Sequence, residues 1–237
     1  MNVSKSTMKR IICDIKEVSK NSLESQGIYY IHDEDHLLLG YACIIGPEDT
    51  PYEYGYYFFK IEYPVDYPYT PLKVTFLSND KQTRFHPNLY RNGKCCLSVL
   101  NTWRGDQWTS CQTLSSILLT ICTIFTKNPL THEPGINEKH AQCEIYQDLI
   151  TYKNYEVTIG RILNDEIINK EIKDKFENIM LKNLKKNKDK IFSGLDKLSD
   201  AQKDIDYISC NVYNMGFKLN TNNMIQNCKE VILRKLN

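Results

Sequence analysis

The 237-residue sequence predicts an α+β fold: an N-terminal helix, a four-stranded antiparallel meander, an irregular active-site loop, a central helix, C-terminal helices and a further helical extension. Three observations predict it. Apolar residues recur at helical spacing over 8–18 and 113–126, they give way to short β-rich runs between 28 and 77, and proline-bearing turns separate those runs.

The first helix carries Met8, Ile11, Ile12, Ile15 and Val18 on one stripe, with Lys9, Lys16 and Lys20 turned elsewhere, so its outer face is basic. Strands are expected at 28–32, 37–45, 56–62 and 72–77, broken by Gly46-Pro47-Glu48-Asp49-Thr50-Pro51 and by Tyr63-Pro64-Val65-Asp66-Tyr67-Pro68. Leu114, Ile117, Leu118, Ile121 and Ile124 or Phe125 define a buried central helix that Asn128-Pro129 stops. Helical periodicity resumes from about 137 to 163, where the compact domain is expected to end, giving a domain at 5–163 and an extension at 164–237. Within the extension, 168–192 and 222–236 read as helices. The lysine-rich run Lys182–Lys190 reads as a solvated helix face or a mobile linker in preference to a nucleic-acid patch.

Composition narrows the function classes. Hydrophobic content of 41% and charged content of 25% suit a globular chain with a sizeable core, and a net charge of +1 argues against a strong field for nucleic acid or membrane. The stretch Met1-Asn2-Val3-Ser4-Lys5 holds no apolar signal region and no apolar run reaches membrane-spanning length, so reduced thiols and a cytoplasmic or nuclear location are expected. The nine cysteines form no Cys-x-x-Cys pair, so their spacing does not call for structural zinc.

Chemistry concentrates in 86–97. His86-Pro87-Asn88 is a turn, and eight residues after Asn88 comes Cys96, directly after Lys94-Cys95 at a loop exit. A cysteine attacks as thiolate, and a fixed side-chain amide such as that of Asn88 can hold the oxyanion formed when a thioester is attacked. The residue types suit acyl transfer through sulfur. Cys95 and Cys96 compete for the role. Successive residues of an extended segment face opposite ways, so one of the two sulfurs can enter the core while the other stays available; the bland alternative is that both are packing thiols.

With these residues in view the chain resembles the ubiquitin-conjugating enzymes. Tyr63-Pro64-x-x-Tyr67-Pro68-Tyr69-x-Pro71 followed by Val74-x-Phe76 is similar to that family's approach to its fourth strand. Gly46-Pro47 through Pro51-Tyr52 is similar to its earlier turn, and His86-Pro87-Asn88 with Cys96-Leu97 to its catalytic signature. Trp108-Thr109-Ser110 and Glu133-Pro134 continue the pattern, and Thr102-Trp103-x-Gly105-x-x-Trp108 with Asn128-Pro129 resembles the Z-type members, which have a longer loop after the cysteine and a C-terminal extension. The resemblance covers about residues 5–160.

The resemblance implies that Cys96 accepts ubiquitin or a ubiquitin-like modifier from an activating enzyme as a thioester. It then passes the modifier to a substrate lysine or to a ligase cysteine, with no metal or organic cofactor. Asn88 would support the loop and hold the oxyanion, the alternative being a purely structural turn asparagine, His86 would brace the loop in preference to acting as a base, and Glu133 would stand at the acidic gate where a carboxylate can orient an incoming lysine. The activating enzyme would use the basic face of the first helix, Lys5, Lys9, Arg10 and Lys16, and ligases the loops around Tyr69, Ser110 and Cys111. Ser110 in place of the usual proline, Leu72 in place of the second of two prolines, and Tyr54 in place of a small residue depart from the pattern and bear on ligase choice. Two other readings compete: an uncharged adaptor that binds modifier or ligase, and a redox protein using Cys95 and Cys96, which the strained ring formed by adjacent cysteines disfavours.

Overall fold

The computed structural model describes residues 3–237, so Met1 and Asn2 of the stretch read for a signal lie outside the described residues. Helix α1 (Lys5–Lys20) begins where the Ser4 side chain accepts a hydrogen bond from Thr7 N at 3.1 Å, a cap that satisfies one of the free amides of the first turn. It buries Thr7, Ile11 and Asp14. Asp14 is 2% exposed, yet it has full use for its oxygens. One takes the Arg10 guanidinium at 2.9 Å, and the other takes the Tyr67 hydroxyl and, at 3.3 Å, Leu114 N, the first amide of the central helix. A buried carboxylate is tolerated only when paired and hydrogen-bonded in this way, and the arrangement ties α1 to the proline-rich turn and to the next helix.

Four strands follow in antiparallel order β1-β2-β3-β4: β1 (Ile28–His32), β2 (Leu39–Ile45), β3 (Tyr56–Glu62) and β4 (Lys73–Phe76). β1 and β3 have the bounds that the sequence predicts. β2 starts two residues late because Asp33 Oδ1 accepts from the amides of Asp35 and His36, at 3.2 and 3.1 Å, and turns the chain there. The central helix α2 (Leu114–Thr123) is capped by Thr113, whose side chain and that of Ser116 exchange bonds with each other's backbone. α3 (Gln142–Lys153) runs directly into a π-helical segment, Asn154–Arg161, that the sequence pattern does not distinguish from an ordinary helix. Its first residue, Asn154, is wholly buried: its carbonyl oxygen accepts from Tyr57 and Thr158 at 2.6 and 2.5 Å, and its amide donates to Glu53 O at 2.9 Å.

The extension consists of α4 (Lys170–Lys175), α5 (Glu177–Ala201), a hairpin of β5 (Tyr207–Cys210) and β6 (Met215–Lys218), and α6 (Thr221–Leu236). The helical extension expected from the sequence thus also carries a small sheet. α5 buries Met180, Leu184, Asn187, Ile191, Leu195 and Leu198 at spacings of three and four, while Lys182, Lys185, Lys186 and Lys190 stay exposed. The lysine run is therefore a solvated helix face, and Lys190 reaches Glu48 at 2.8 Å.

This placement decides how the sheet is buried. Alternate residues of β3 face opposite ways. Tyr57 and Phe59 pack on Phe125 and Phe76, with ring centroids 4.5 and 5.5 Å apart, in the core shared with α2. Phe58 points outward and meets Phe176 edge to face at 5.4 Å, and the Tyr56 hydroxyl donates to Met180 O at 3.2 Å. One hydrophobic cluster extends from Ile11 to Ile232, so residues 164–237 share a core with residues 5–163.

Phe176 is 0% exposed, and truncating a buried aromatic costs about 3–5 kcal/mol. Phe176→Ala should lower the unfolding free energy by that amount, with the whole chain unfolding in one transition as followed by urea titration. A low-denaturant step belonging to the extension alone, with the main transition unmoved, would contradict a shared core.

Candidate active site

His86-Pro87-Asn88 closes a tight return of the chain, with Leu89 N donating to His86 O at 2.9 Å. The return brings the chain back on itself. Cys96 N donates to Asn88 O at 2.8 Å, and Asn88 Nδ2 donates to Cys96 O at 2.6 Å, so each residue holds the other's backbone. His86 Nδ1 accepts from Asn88 N at 3.0 Å, which leaves the ring proton on Nε2. The ring is fully buried, 5.0 Å from that of His132, and among the described residues Nε2 has no hydrogen-bond partner. Burial drives the His86 pKa well below the ordinary value of 6.5, and His132 and the Arg84 guanidinium add to the effect, so the imidazole is neutral.

The two candidate thiols differ in surroundings more than in exposure. Cys95 is 2% exposed within the hydrophobic cluster, and burial pushes its pKa up to about 12. Cys96, 3% exposed, lies outside that cluster, and its Sγ donates to the carbonyl of Thr102 at 2.8 Å. This contact uses the thiol's own proton, so formation of a thioester must break it. Thr102 is a residue to which the sequence reading gives no role. Its hydroxyl accepts from Leu97 N at 2.8 Å and sits 2.9 and 3.0 Å from the carbonyls of Cys95 and Leu97, pinning the chain on either side of Cys96. The exposed loop 103–107 then departs and is recovered at Trp108, whose backbone amide donates to Asn101 Oδ1 at 2.8 Å and whose indole donates to Pro68 O at 2.7 Å.

The gate segment faces this loop. Pro134 lines an open groove together with Asn101, Thr102, Trp103, Arg104 and Gln107. Glu133, half-buried, ends the short turn that Asn128-Pro129 begins, and its Oε2 accepts a hydrogen bond at 2.6 Å from Tyr213, in the turn between β5 and β6. Arg84 grips the other side of the site: Nε and Nη2 donate to the carbonyls of His86 and Pro87 at 3.1 and 2.5 Å, and the guanidinium stacks 3.3 Å over the Tyr90 ring.

The proposed partner residues divide. Lys5, Lys9 and Lys16 are exposed on α1, and Tyr69 is 81% exposed between its prolines. Ser110 and Cys111 are exposed too. Arg10 is engaged internally: besides Asp14 it donates to Ser110 O at 2.7 Å and to Gln112 O, joining α1 to the loop before α2. All nine cysteines are free thiols, and among the described residues no helix is long and apolar enough to cross a membrane.

The neutral His86 has a consequence for stability. An unfolded histidine binds its proton near pH 6.5 while the folded one does so far lower, so between these values the unfolded state holds more protons. Stability should be complete above about pH 6.5 and fall as the pH drops, by up to about 1.4 kcal/mol per unit for such a group. Burial also lowers the pKa values of His32 and His132, which contribute in the same sense. Urea midpoints between pH 5 and 8 should show the slope, and His86→Asn should reduce it to the part that His32 and His132 contribute; an unchanged slope would show that His86 does not couple folding to protons.

Comparison with known proteins assigns the chain to a family. The sequence profile of ubiquitin-conjugating enzymes matches residues 10–157. The ubiquitin-conjugating enzyme E2 Z of Xenopus tropicalis is 38% identical over 157 residues, 65% of this chain and 50% of that protein. The human protein of the same name is 38% identical over 153 residues, 63% of this chain and 43% of its own. A probable ubiquitin-conjugating enzyme, protein 17 of Caenorhabditis elegans, is 39% identical over 135 residues, 54% of this chain and 18% of its length. The matches span half or less of each of these relatives. Positions 86–88, 96 and 133 fall inside the profile's span of 10–157, and the chain belongs to the ubiquitin-conjugating enzyme family, with similarity to its Z-type members.

Proposed function

We propose that the chain accepts ubiquitin or a ubiquitin-like modifier as a thioester on Cys96 and transfers it to a lysine amine or to a ligase cysteine. The observation that carries this reading is the mutual bonding of Asn88 and Cys96 beside a buried, neutral His86, within a chain of this family. Charging exchanges one thioester for another: the Cys96 thiol gives up its proton, its sulfur bonds to the modifier's terminal carbonyl carbon, and the activating enzyme's sulfur leaves with the electron pair of the broken C–S bond and takes up a proton. Aminolysis follows. The lysine nitrogen, having lost a proton from its ammonium form, bonds to the carbonyl carbon, the C–S bond breaks, and the nitrogen's surplus proton is released as the sulfur leaves as thiolate.

Each side chain has a task in this scheme. Asn88 uses one Nδ2 hydrogen to hold the Cys96 carbonyl, and its second hydrogen is the donor for the oxyanion. His86 holds the Asn88 amide and does not exchange protons. Glu133 orients the incoming lysine and favours loss of its proton. No metal or organic cofactor takes part, because the acyl group arrives activated. Lys5, Lys9 and Lys16 form the surface for the activating enzyme, and Tyr69 with Ser110 and Cys111 that for ligases. The reaction belongs to the cytoplasm or nucleus, where thiols stay reduced.

One observation favours a second reading. Cys96 is nearly enclosed and its proton is engaged by Thr102, which suits an adaptor that holds modifier or ligase without being charged.

The two readings separate in a charging assay with activating enzymes, ATP and a panel of modifiers, resolved on non-reducing gels. The expected result is a thiol-labile adduct, a stable ester in Cys96→Ser, and normal charging in Cys95→Ser. No adduct with any pair would leave the adaptor. Asn88→Ala should charge normally but discharge to lysine on the order of 100-fold more slowly, the usual cost of one oxyanion donor. Equal discharge rates would confine Asn88 to holding the loop.

A further inference from the structure

The extension reaches the active site through one turn. Between β5 and β6, residues Asn211–Tyr213 form a short 3-10 turn that ends at Asn214 in the left-handed region, and the turn projects Tyr213 against three segments of the conjugating domain. The Tyr213 hydroxyl donates to Glu133 Oε2 at 2.6 Å. The Tyr213 carbonyl accepts from Arg91 Nη2 at 2.6 Å. The Tyr213 ring lies 5.2 Å from the Arg84 guanidinium and 5.8 Å from the Tyr146 ring. The turn itself is held in place: Asn211 N donates to Gln142 Oε1 at 2.7 Å, and Met215, 3% exposed, takes the Arg84 amide on its sulfur at 3.1 Å.

These contacts connect to the chemistry at two points. A phenol bonded to a carboxylate is a charge-assisted hydrogen bond, about twice as strong as a neutral one, and it fixes which way the carboxylate faces. Burial and the Glu133 carboxylate keep the Tyr213 phenol protonated far above neutral pH, so it serves as a donor at every working pH. Arg84, sandwiched between Tyr90 and Tyr213, is the residue that holds the carbonyls of His86 and Pro87. None of this is local in sequence, since Tyr213 lies 80 residues from Glu133 and beyond the region that the family profile matches.

We propose that Tyr213 is a positioning residue for transfer to lysine: it sets the orientation of Glu133 and braces Arg84 against the His86-Pro87-Asn88 turn, which makes the C-terminal extension part of the catalytic apparatus. The proposal rests on the reading of Glu133 as the gate carboxylate of a charged enzyme. It assigns no bond-making step to Tyr213. Its effect is confined to the step in which an amine must be oriented and deprotonated, and charging by thioester exchange does not involve it.

Tyr213→Phe in the full chain tests this, because it keeps the ring, the Arg84 stack and the Arg91 contact while removing the hydroxyl. Thioester is formed on wild type, Tyr213→Phe, Glu133→Ala and the double variant, and single-turnover discharge is measured to free lysine and to hydroxylamine, which is neutral at pH 7.5 and needs no base. The expected result is charging within twofold of wild type, discharge to lysine about tenfold slower in Tyr213→Phe, and discharge to hydroxylamine unchanged. Tyr213→Phe should add nothing to Glu133→Ala, since residues acting as a unit are not additive. A general structural disturbance would slow both acceptors equally, and that result overturns the proposal. So does Tyr213→Phe matching wild type while Glu133→Ala is slow, or full additivity of the two, and in both cases the reading of Glu133 stands. If Glu133→Ala also matches wild type, or if the wild type cannot be charged, the underlying reading falls with the proposal.

Discussion

Two hydrogen bonds across a single turn fix everything that happens at this site. Cys96 N reaches Asn88 O, and Asn88 Nδ2 reaches Cys96 O, so the proposed nucleophile and the amide proposed to assist it share one rigid frame instead of two independently mobile loops. The frame is held from below by His86, whose neutral ring must accept from Asn88 N and therefore must stay unprotonated. A buried, uncharged histidine is costly to protonate, and here that cost works as rigidity. From the side, Thr102 pins Cys95, Leu97 and the Cys96 thiol at once. The sulfur's resting state is accordingly closed, and opening it requires movement of the Thr102 backbone or rotation of the Cys96 side chain, not rearrangement of the turn.

Much of this was legible in the sequence because it is encoded locally. The stripe Met8, Ile11, Ile15 and Val18 has helical period, 56–62 is a short β-rich run between turns, and His86-Pro87-Asn88 with Cys96 lies within eleven residues. Those features appear where expected. Glu133-Pro134 was legible as a motif, but the partner that gives Glu133 its orientation was not, because Tyr213 comes from a hairpin of four-residue strands too short to produce a period. The hairpin's residues, Tyr207-Ile208-Ser209-Cys210 and Met215-Gly216-Phe217-Lys218, are ordinary for a loop. Thr102 was hidden for a different reason: its decisive group toward Cys96 is a backbone carbonyl, which every residue has. The engagement of Arg10 illustrates the limit of surface arguments, since a basic residue on an amphipathic helix reads as solvated until the loop at 110–112 is seen to lie against it. The π-helical segment at 154–161 is not distinguished by its apolar pattern from an α-helix, and the bonds that hold its first residue, Asn154, come from Tyr57 and Glu53 about a hundred residues earlier.

The covering of the sheet by α5 and Phe176 changes what β3 can be made of. In a sheet that meets water on one face, every second residue answers to solubility alone and can vary widely over time. From Tyr56 to Phe59 no such position exists: Tyr57 and Phe59 are committed to packing on the α2 side of the sheet, and Tyr56 and Phe58 to packing on the α5 side. Substitution in this stretch is constrained in both parities, so the strand should tolerate change only when α5 or Phe176 changes with it. The mutational freedom that an open sheet would offer has been moved to the outer side of α5, where Lys182, Lys185 and Lys186 face solvent and can be exchanged for other polar residues at little cost.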